Sequence, residues 1–370
     1  MIRWGIWGTG AIAHHVASDF PLAQGAVLQA VGSRTAERAA SFASAYGAAR
    51  SYEGLPALLA DDTLDAIYIA TPNQRHAEDS LACLQAGKAV LCEKPFALNA
   101  AQAQRVADAA RERNVFCMEA MWTRFIPAVV EARRLVRSGA IGPIRLIQGN
   151  FGHRMSGDSE SRCFNIAMGG GALLDLGVYL VSISYFLMGA PLSVRGSAFL
   201  GPTGVDEQSG YQLLWQEGAL ADLAASLRTL GSNEFTIYGE SGSICLSTPF
   251  YRPHELVITS LPEPKQPAAG ASRERSISRK IGKAAARAVP GAKALRRRLS
   301  PVIELMGRDT RSFLFPGNGY QFEIMEVNRC IEERRTESET MPLDETVAIM
   351  RTMDELRSQF GLAYPGESFG

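Results

Sequence analysis

The sequence predicts an α/β protein: an N-terminal Rossmann dinucleotide-binding domain, then an α+β domain built on a large, mostly antiparallel sheet with one open face. Three observations carry this. Short β-rich runs alternate with amphipathic helical segments over residues 1–121. A glycine-rich turn follows the first run. From residue 193 onward strand follows strand without intervening helices.

In the first part, strands are expected at 2–7, 27–31, 65–70, 89–92 and 115–118. Ala100, Ala103, Val106, Ala107 and Ala110 fall at helical spacing, and Gly87 and Asn114 stand where helix C-caps or turns belong. After Trp122 the pattern changes to a helix at 129–136, a strand at 144–150 and a long apolar helix beginning near Gly171. Residues 193–260 read as a meander, in which Gln216-Glu217-Gly218 turns one strand into the next. Helices on one face of such a sheet leave the other free, which predicts a homodimer or homotetramer through it. Two amphipathic helices, 320–333 and 343–360, close the chain, with Asp344 the N-cap candidate of the second. The expected domains are 1–121, 122–342 and a C-terminal helical segment, 343–370, packing back on the first.

The chain has 370 residues, of which 46% are hydrophobic and 21% charged, the profile of a globular protein. Lys+Arg and Asp+Glu both number 38, so there is no global positive field and no nucleic-acid partner is expected. The start reads directly as a strand, and six cysteines lie scattered without a C-x-x-C pair, which points to a cytoplasmic protein with reduced thiols and no metal. The uncharged stretch 176–194 contains Gly177, Ser182, Ser184, Gly189 and Pro191 and reads as a buried helix and turn. One segment departs from neutrality. Between Lys265 and Arg311 thirteen basic residues face three acidic ones, so 262–316 reads as a solvated basic insertion with some helix around 284–299. A surface for anionic lipid or nucleic acid is the other reading of it.

Gly8-Thr9-Gly10-Ala11-Ile12-Ala13 is a G-x-G-x-x-A turn between a strand and a helix. In that setting Gly8 permits the tight turn, Gly10 lets a pyrophosphate approach the backbone, and Ala13 lets helix meet strand. After the second strand, where an acid would grip the ribose 2′-hydroxyl of NAD, the chain has Gly32-Ser33-Arg34, with Arg38 one turn on. Ser33, Arg34 and Arg38 suit a 2′-phosphate, so NADP is expected and NAD less so. Thr71-Pro72-Asn73, with His76 a turn later, and Glu93-Lys94-Pro95 each follow a strand, at the edge where open α/β sheets bind ligands. Trp122 and Arg124 fall at the domain boundary, where a cleft is expected. Gly169-Gly170-Gly171 leads into a helix carrying Asp175 and Tyr179 four residues apart, on one stripe.

Together these motifs resemble the Gfo/Idh/MocA oxidoreductase family, and Glu119 to Phe125 with Asp175-Leu176-Gly177-Val178-Tyr179 resemble its branch of dimeric dihydrodiol and NADP-dependent D-xylose dehydrogenases. The resemblance covers nearly the whole chain except 262–316. It implies that Lys94 is the proton-transfer group, that Asp175 helps hold the substrate, that Lys94-Pro95 is cis, and that Phe151 lines the substrate pocket. Most of the family carries a histidine where this chain has Tyr179, which makes inositol a less suitable substrate. The function so implied is an NADP-dependent oxidoreductase acting on a cyclic sugar, polyol or trans-dihydrodiol. A nicotinamide-binding sensor or assembly subunit without turnover is the alternative. The hydroxyl proton is expected to go to Lys94 directly or through Tyr179; both are weak bases when free, so one of them must be lowered toward neutrality, which burial beside a cationic nicotinamide can do for the lysine. Asp175 is expected on the substrate side, away from Lys94.

Overall fold

The structure, a computed structural model, describes residues 1–156, 161–262 and 307–367. Its first sheet has six parallel strands: β1 (Ile2–Trp7), β2 (Ala26–Ser33), β3 (Arg50–Glu53), β4 (Ala66–Ile69), β5 (Ala89–Glu93) and β6 (Cys117–Ala120), in the order β3-β2-β1-β4-β5-β6. The helices α1 (Ala11–Asp19), α2 (Ala36–Tyr46), α3 (Leu55–Leu59), α4 (His76–Gln85) and α5 (Ala100–Arg113) connect them. With helices on both faces, every residue of β4, β5 and β6 is buried, which is why these strands read as unbroken apolar runs. β3, Arg-Ser-Tyr-Glu at the sheet edge, has no such run, and the sequence reading passes over it. The strand order reverses between β1 and β4, and a ligand crevice belongs at their carboxyl ends.

The second sheet follows α6 (Pro127–Arg137). It comprises β7 (Ile144–Gly152), β8 (Ser193–Leu200), β9 (Asp206–Leu214), β10 (Leu220–Ser226), β11 (Phe235–Gly239), β12 (Gly242–Leu246), β13 (Glu255–Ser260) and β14 (Arg308–Ser312). The order is β14-β13-β12-β11-β7-β10-β9-β8, antiparallel except where β10 runs parallel to β7. A π turn at Leu173–Gly177 runs into α7 (Val178–Met188), and α8 (Gln321–Glu332) and α9 (Leu343–Phe360) close the chain. α6, α7 and α9 pack on one face of the sheet, and α9 also meets α5 and β6 of the first. Alternation then sorts the strands: in β10, Ala221, Leu223 and Ala225 are buried, whereas Asp222 and Ala224 are exposed on the face that no described element covers.

Two expectations are corrected. α9 starts behind Pro342, and Asp344 lies within its first turn, where a carboxylate complements the helix dipole without capping. The basic segment is not wholly outside the fold, since its end forms the edge strand β14, paired along Arg308–Ser312 with β13. That strand, Arg-Asp-Thr-Arg-Ser, is too polar to announce itself. Residues 263–306, with the helix expected around 284–299, lie outside the described residues. The apolar stretch Ile166–Met188 is long enough to cross a membrane but is mostly buried in this core.

Asp19 ties the two halves together. Buried at the end of α1, its carboxylate accepts the backbone N–H groups of Asn318, Gly319 and Tyr320 at 2.9–3.0 Å, at the start of α8. Asp19→Ala strands these donors and should cost about 3 kcal/mol of unfolding free energy, read by urea denaturation; each buried, unsatisfied donor costs ~1–3 kcal/mol.

Candidate active site

At the crevice, Gly8 has φ +106°, and a Cβ there would lie 2.6 Å from the Ala70 carbonyl oxygen, so only glycine allows β1 to turn this close to β4. Gly10 then opens α1 with no side-chain cap, and a Cβ on it would meet nothing closer than 4.0 Å. The N–H groups of Ala11 and Ile12 thus begin a helix whose mouth is open to an anion. Ser33 is buried at the end of β2, 3.3 Å from the Thr9 hydroxyl, and Arg34 and Arg38 are exposed beside it. Thr35 caps α2 by accepting from the Arg38 N–H at 3.4 Å, which fixes the turn carrying both arginines. This cradle fits a dinucleotide: Gly8 to Ile12 would hold the pyrophosphate, and Ser33, Arg34 and Arg38 the adenosine ribose.

Lys94 follows β5 and reaches across to the second half of the molecule. Its Nζ donates to the Asp175 carbonyl oxygen at 2.8 Å and to Asp175 Oδ1 at 3.3 Å. Arg162 Nη2 lies 3.0 Å from the same Oδ1, and the Cys163 thiol donates to Oδ2 at 3.6 Å. Asp175 sits in the π turn, whose lead-in requires glycine: Gly171 has φ +128°, and a Cβ on it would fall 2.2 Å from Asp206 Oδ1. Asp206 Oδ2 in turn accepts the Leu173 N–H at 2.8 Å. Tyr179, just inside α7, places its ring 4.7 Å from Lys94 Nζ, and its hydroxyl accepts the Trp122 indole N–H at 3.1 Å. Around this core Phe151 stacks on Tyr251 at 4.7 Å, edges onto Tyr179 at 5.4 Å, and Trp122 packs on Tyr320 at 4.6 Å.

The sequence expects one of Lys94 and Tyr179 to be lowered toward neutrality, and the electrostatics of the site lower neither. Burial disfavours the Lys94 ammonium, but Asp175 and Tyr179 outweigh it, and Lys94 is held above the ordinary lysine range. Burial likewise disfavours the Asp175 carboxylate, yet Lys94 and Arg162 hold it well below the usual carboxylate range. Burial pushes the Tyr179 phenol up to about 12. Asp175 therefore touches Lys94 directly, and the expectation that it stands apart on the substrate side is corrected.

Several residues expected to contact the nucleotide are committed to the protein. Thr71 donates to Asp79 at 2.9 Å, and Asn73 donates to the Gly169 carbonyl at 3.0 Å, linking the two loops. Both His76 ring nitrogens lie 2.7 Å from carbonyl oxygens, those of Pro95 and Thr71, while Pro72 begins the short turn between them. Glu93 is buried, taking the Tyr68 hydroxyl on one oxygen and the Lys94 N–H at 3.1 Å on the other. Arg124 is the clearest departure. Fully buried, it pairs with Glu345 and donates to Ser182 Oγ at 2.8 Å, Ser182 O at 2.7 Å and Thr340 O at 3.1 Å. Its position at the boundary reflects an anchor for α7 and α9. The Lys94–Pro95 peptide is cis. Sequence reasoning missed Arg162, Cys163, Tyr251 and Tyr320. The Arg162-Cys163-Phe164 run ahead of three glycines and the Phe250-Tyr251 pair after Thr248-Pro249 were the available signals.

A dinucleotide cradle at the switch point, with a lysine, an acid and a phenol converging beside it, defines an oxidoreductase that works with a nicotinamide nucleotide. Residues 2–121 match the oxidoreductase family with NAD-binding Rossmann fold, GFO_IDH_MocA, and residues 129–245 match the GFO/IDH/MocA C-terminal domain. The chain belongs to this family. It is 30% identical to the trans-1,2-dihydrobenzene-1,2-diol dehydrogenase of Xenopus tropicalis, over 98% of this chain and 99% of that one, and 29% identical to the Bos taurus enzyme of the same name, over 98% of each. Among solved structures, levoglucosan dehydrogenase with NADH and levoglucosan aligns at a TM-score of 0.78 with 22% identity, over 98% of this chain and 99% of that one. A 3-ketoreductase from Actinomadura kijaniata with NADP and TDP-benzene aligns at 0.77 with 22% identity, over 97% and 98%.

If Arg124 anchors helices, Glu345→Ala should lower unfolding free energy by about 3 kcal/mol, the cost of stranding a buried charge, and leave NADPH affinity unchanged by calorimetry. A loss of affinity without loss of stability would return Arg124 to the nucleotide site.

Proposed function

We propose that this protein is an NADP-dependent dehydrogenase or reductase of ring-bearing alcohols and ketones: cyclic sugars, polyols or trans-dihydrodiols. The observation that carries the reading is the Lys94–Asp175–Tyr179 constellation beside the dinucleotide cradle. The trans-dihydrobenzenediol dehydrogenases resembling it along their whole length, and the aromatic wall of Trp122, Phe151 and Tyr251, support a flat or chair-like ring as substrate. The sheet face that no described element covers supports self-association as a homodimer or homotetramer, and six unpaired cysteines support a cytoplasmic setting.

Bound, the nicotinamide supplies the hydride acceptor or donor. Lys94 handles the proton. Two of its three N–H donors rest on Asp175, leaving the third for a substrate oxygen. In reduction the ammonium gives its proton to the carbonyl oxygen as that carbon gains hydride; in oxidation neutral lysine takes the alcohol proton. Trp122 donates to the Tyr179 oxygen, so the phenol keeps its own hydrogen to orient or relay to a substrate oxygen. Trp122, Phe151 and Tyr251 exclude water from the ring.

The test is a screen of NADP+ reduction over cyclic sugars, polyols and dihydrodiols, and of NADPH oxidation over keto sugars, by nicotinamide absorbance. Turnover of one class is expected; silence throughout would overturn the reading. Three expectations accompany it. Lys94→Ala should lose at least ~100-fold in kcat with little change in NADPH affinity, in the range of general acid–base contributions. Arg34→Ala should lose most of a preference for NADPH over NADH in calorimetric titrations, since a charge-assisted contact contributes ~1.5–3 kcal/mol. A lysine held above its ordinary value stays protonated through neutral pH. Reduction should therefore be flat with pH there and fall only in alkali, while oxidation should climb as pH rises.

A further inference from the structure

Two cations share one carboxylate oxygen. Asp175 Oδ1 lies 3.3 Å from Lys94 Nζ and 3.0 Å from Arg162 Nη2. They are held differently. The Lys94 side chain is 11% exposed and rests its other hydrogen bond on the Asp175 backbone, whereas that of Arg162 is 49% exposed and reaches the acid from the short turn Arg162–Phe164. That turn is knit to the glycine lead-in of Asp175: Gly171 donates to the Cys163 carbonyl at 2.9 Å and Gly170 to the Asn165 carbonyl at 3.0 Å. The guanidinium is therefore placed against the carboxylate by the same loop that positions the acid.

Resting on the reading above, we propose that Arg162 is a positioning residue, which draws the Asp175 carboxylate away from Lys94 and so sets the pH at which the lysine releases its proton. Among the described residues, the charged and titratable groups facing Lys94 are Asp175 and Tyr179 from the glycine-led helix, Arg162 from the turn before it and Glu93 from the end of β5, with Cys163 against the far oxygen of Asp175. Asp175 holds the proton on the lysine, and among these groups Arg162 opposes that hold. It adds a positive charge near the ammonium and takes a share of the carboxylate's field. Without Arg162 the lysine would be the one cation left on the acid among the described residues, with the Cys163 thiol still on the far oxygen. The proton balance is closed. In oxidation the ammonium first yields its proton to water, and the neutral amine then takes the hydroxyl proton as the C–H bond breaks and its electron pair leaves as hydride to the nicotinamide. Reduction is the reverse.

The test compares the full-length protein with Arg162→Met, Arg162→Gln and Arg162→Lys. The first measurement is the pH profile of kcat/KM for alcohol oxidation. The second is an NMR titration of the Lys94 side chain in the nucleotide-free protein. Both neutral variants should move the alkaline limb upward by about one pH unit, a roughly tenfold loss of rate below the limb with the high-pH plateau kept. Arg162→Lys should restore most of it, NADPH affinity should not change, and Asp175→Asn should move the lysine titration the other way. A limb that stays in place in both neutral variants, or a loss that high pH does not relieve, overturns the proposal. If no alcohol is turned over, the functional reading fails separately, and the NMR titration decides for Arg162: an upward shift in Arg162→Met supports the coupling, and an unmoved titration ends it.

Discussion

The contact between Lys94 and Asp175 joins the carboxyl end of a parallel sheet to the first turn of a helix that packs on a different sheet. Removing two charges from water is costly, and attraction between them offsets that cost only where geometry is good and the remaining donors and acceptors are met. Here the lysine also has the Asp175 carbonyl, and the carboxylate also has Arg162 and the Cys163 thiol. A pair built this way tolerates little displacement of either partner. Much of the surrounding structure can be understood as holding them in place.

On the Asp175 side the constraints start with Gly171, which no other residue can replace while Asp206 caps the turn behind it. The wider π turn then presents Asp175 and Tyr179 to the same space, as such turns often do at functional sites. On the Lys94 side, Glu93 takes the lysine's own N–H, and His76 staples the loop after β5 to the loop after β4. Asn73 joins that scaffold to Gly169, and Asp19 binds the start of α8, whose Tyr320 supports Trp122. Arg124 clamps α7 to α9 from beneath. These residues do not need to touch a ligand to matter to the chemistry.

The parts of this arrangement governed by local rules were legible in the sequence. The glycine turn after β1, the buried strands and the stripe of Asp175 and Tyr179 follow from backbone sterics, from burial and from helical spacing. What could not be read depends on distant partners. Nothing near Arg124 reveals that Glu345, on the last helix, would claim it, and nothing near Lys94 reveals that Asp175 would meet its ammonium and raise its proton affinity. Polar edge strands such as β3 and β14 carry no periodic signal. Arg162 and Tyr251 lie on connecting segments, where composition says little about direction.

In the proposed function Lys94 and Asp175 act as one unit in proton transfer, and a double-mutant cycle on kcat tests this. Groups that work together lose their function together, so the second substitution adds little to the first. Lys94→Met with Asp175→Asn should be only about as slow as Lys94→Met alone. If the two losses multiplied, each residue would be acting independently, and the pairing would be a structural contact without a part in the chemistry.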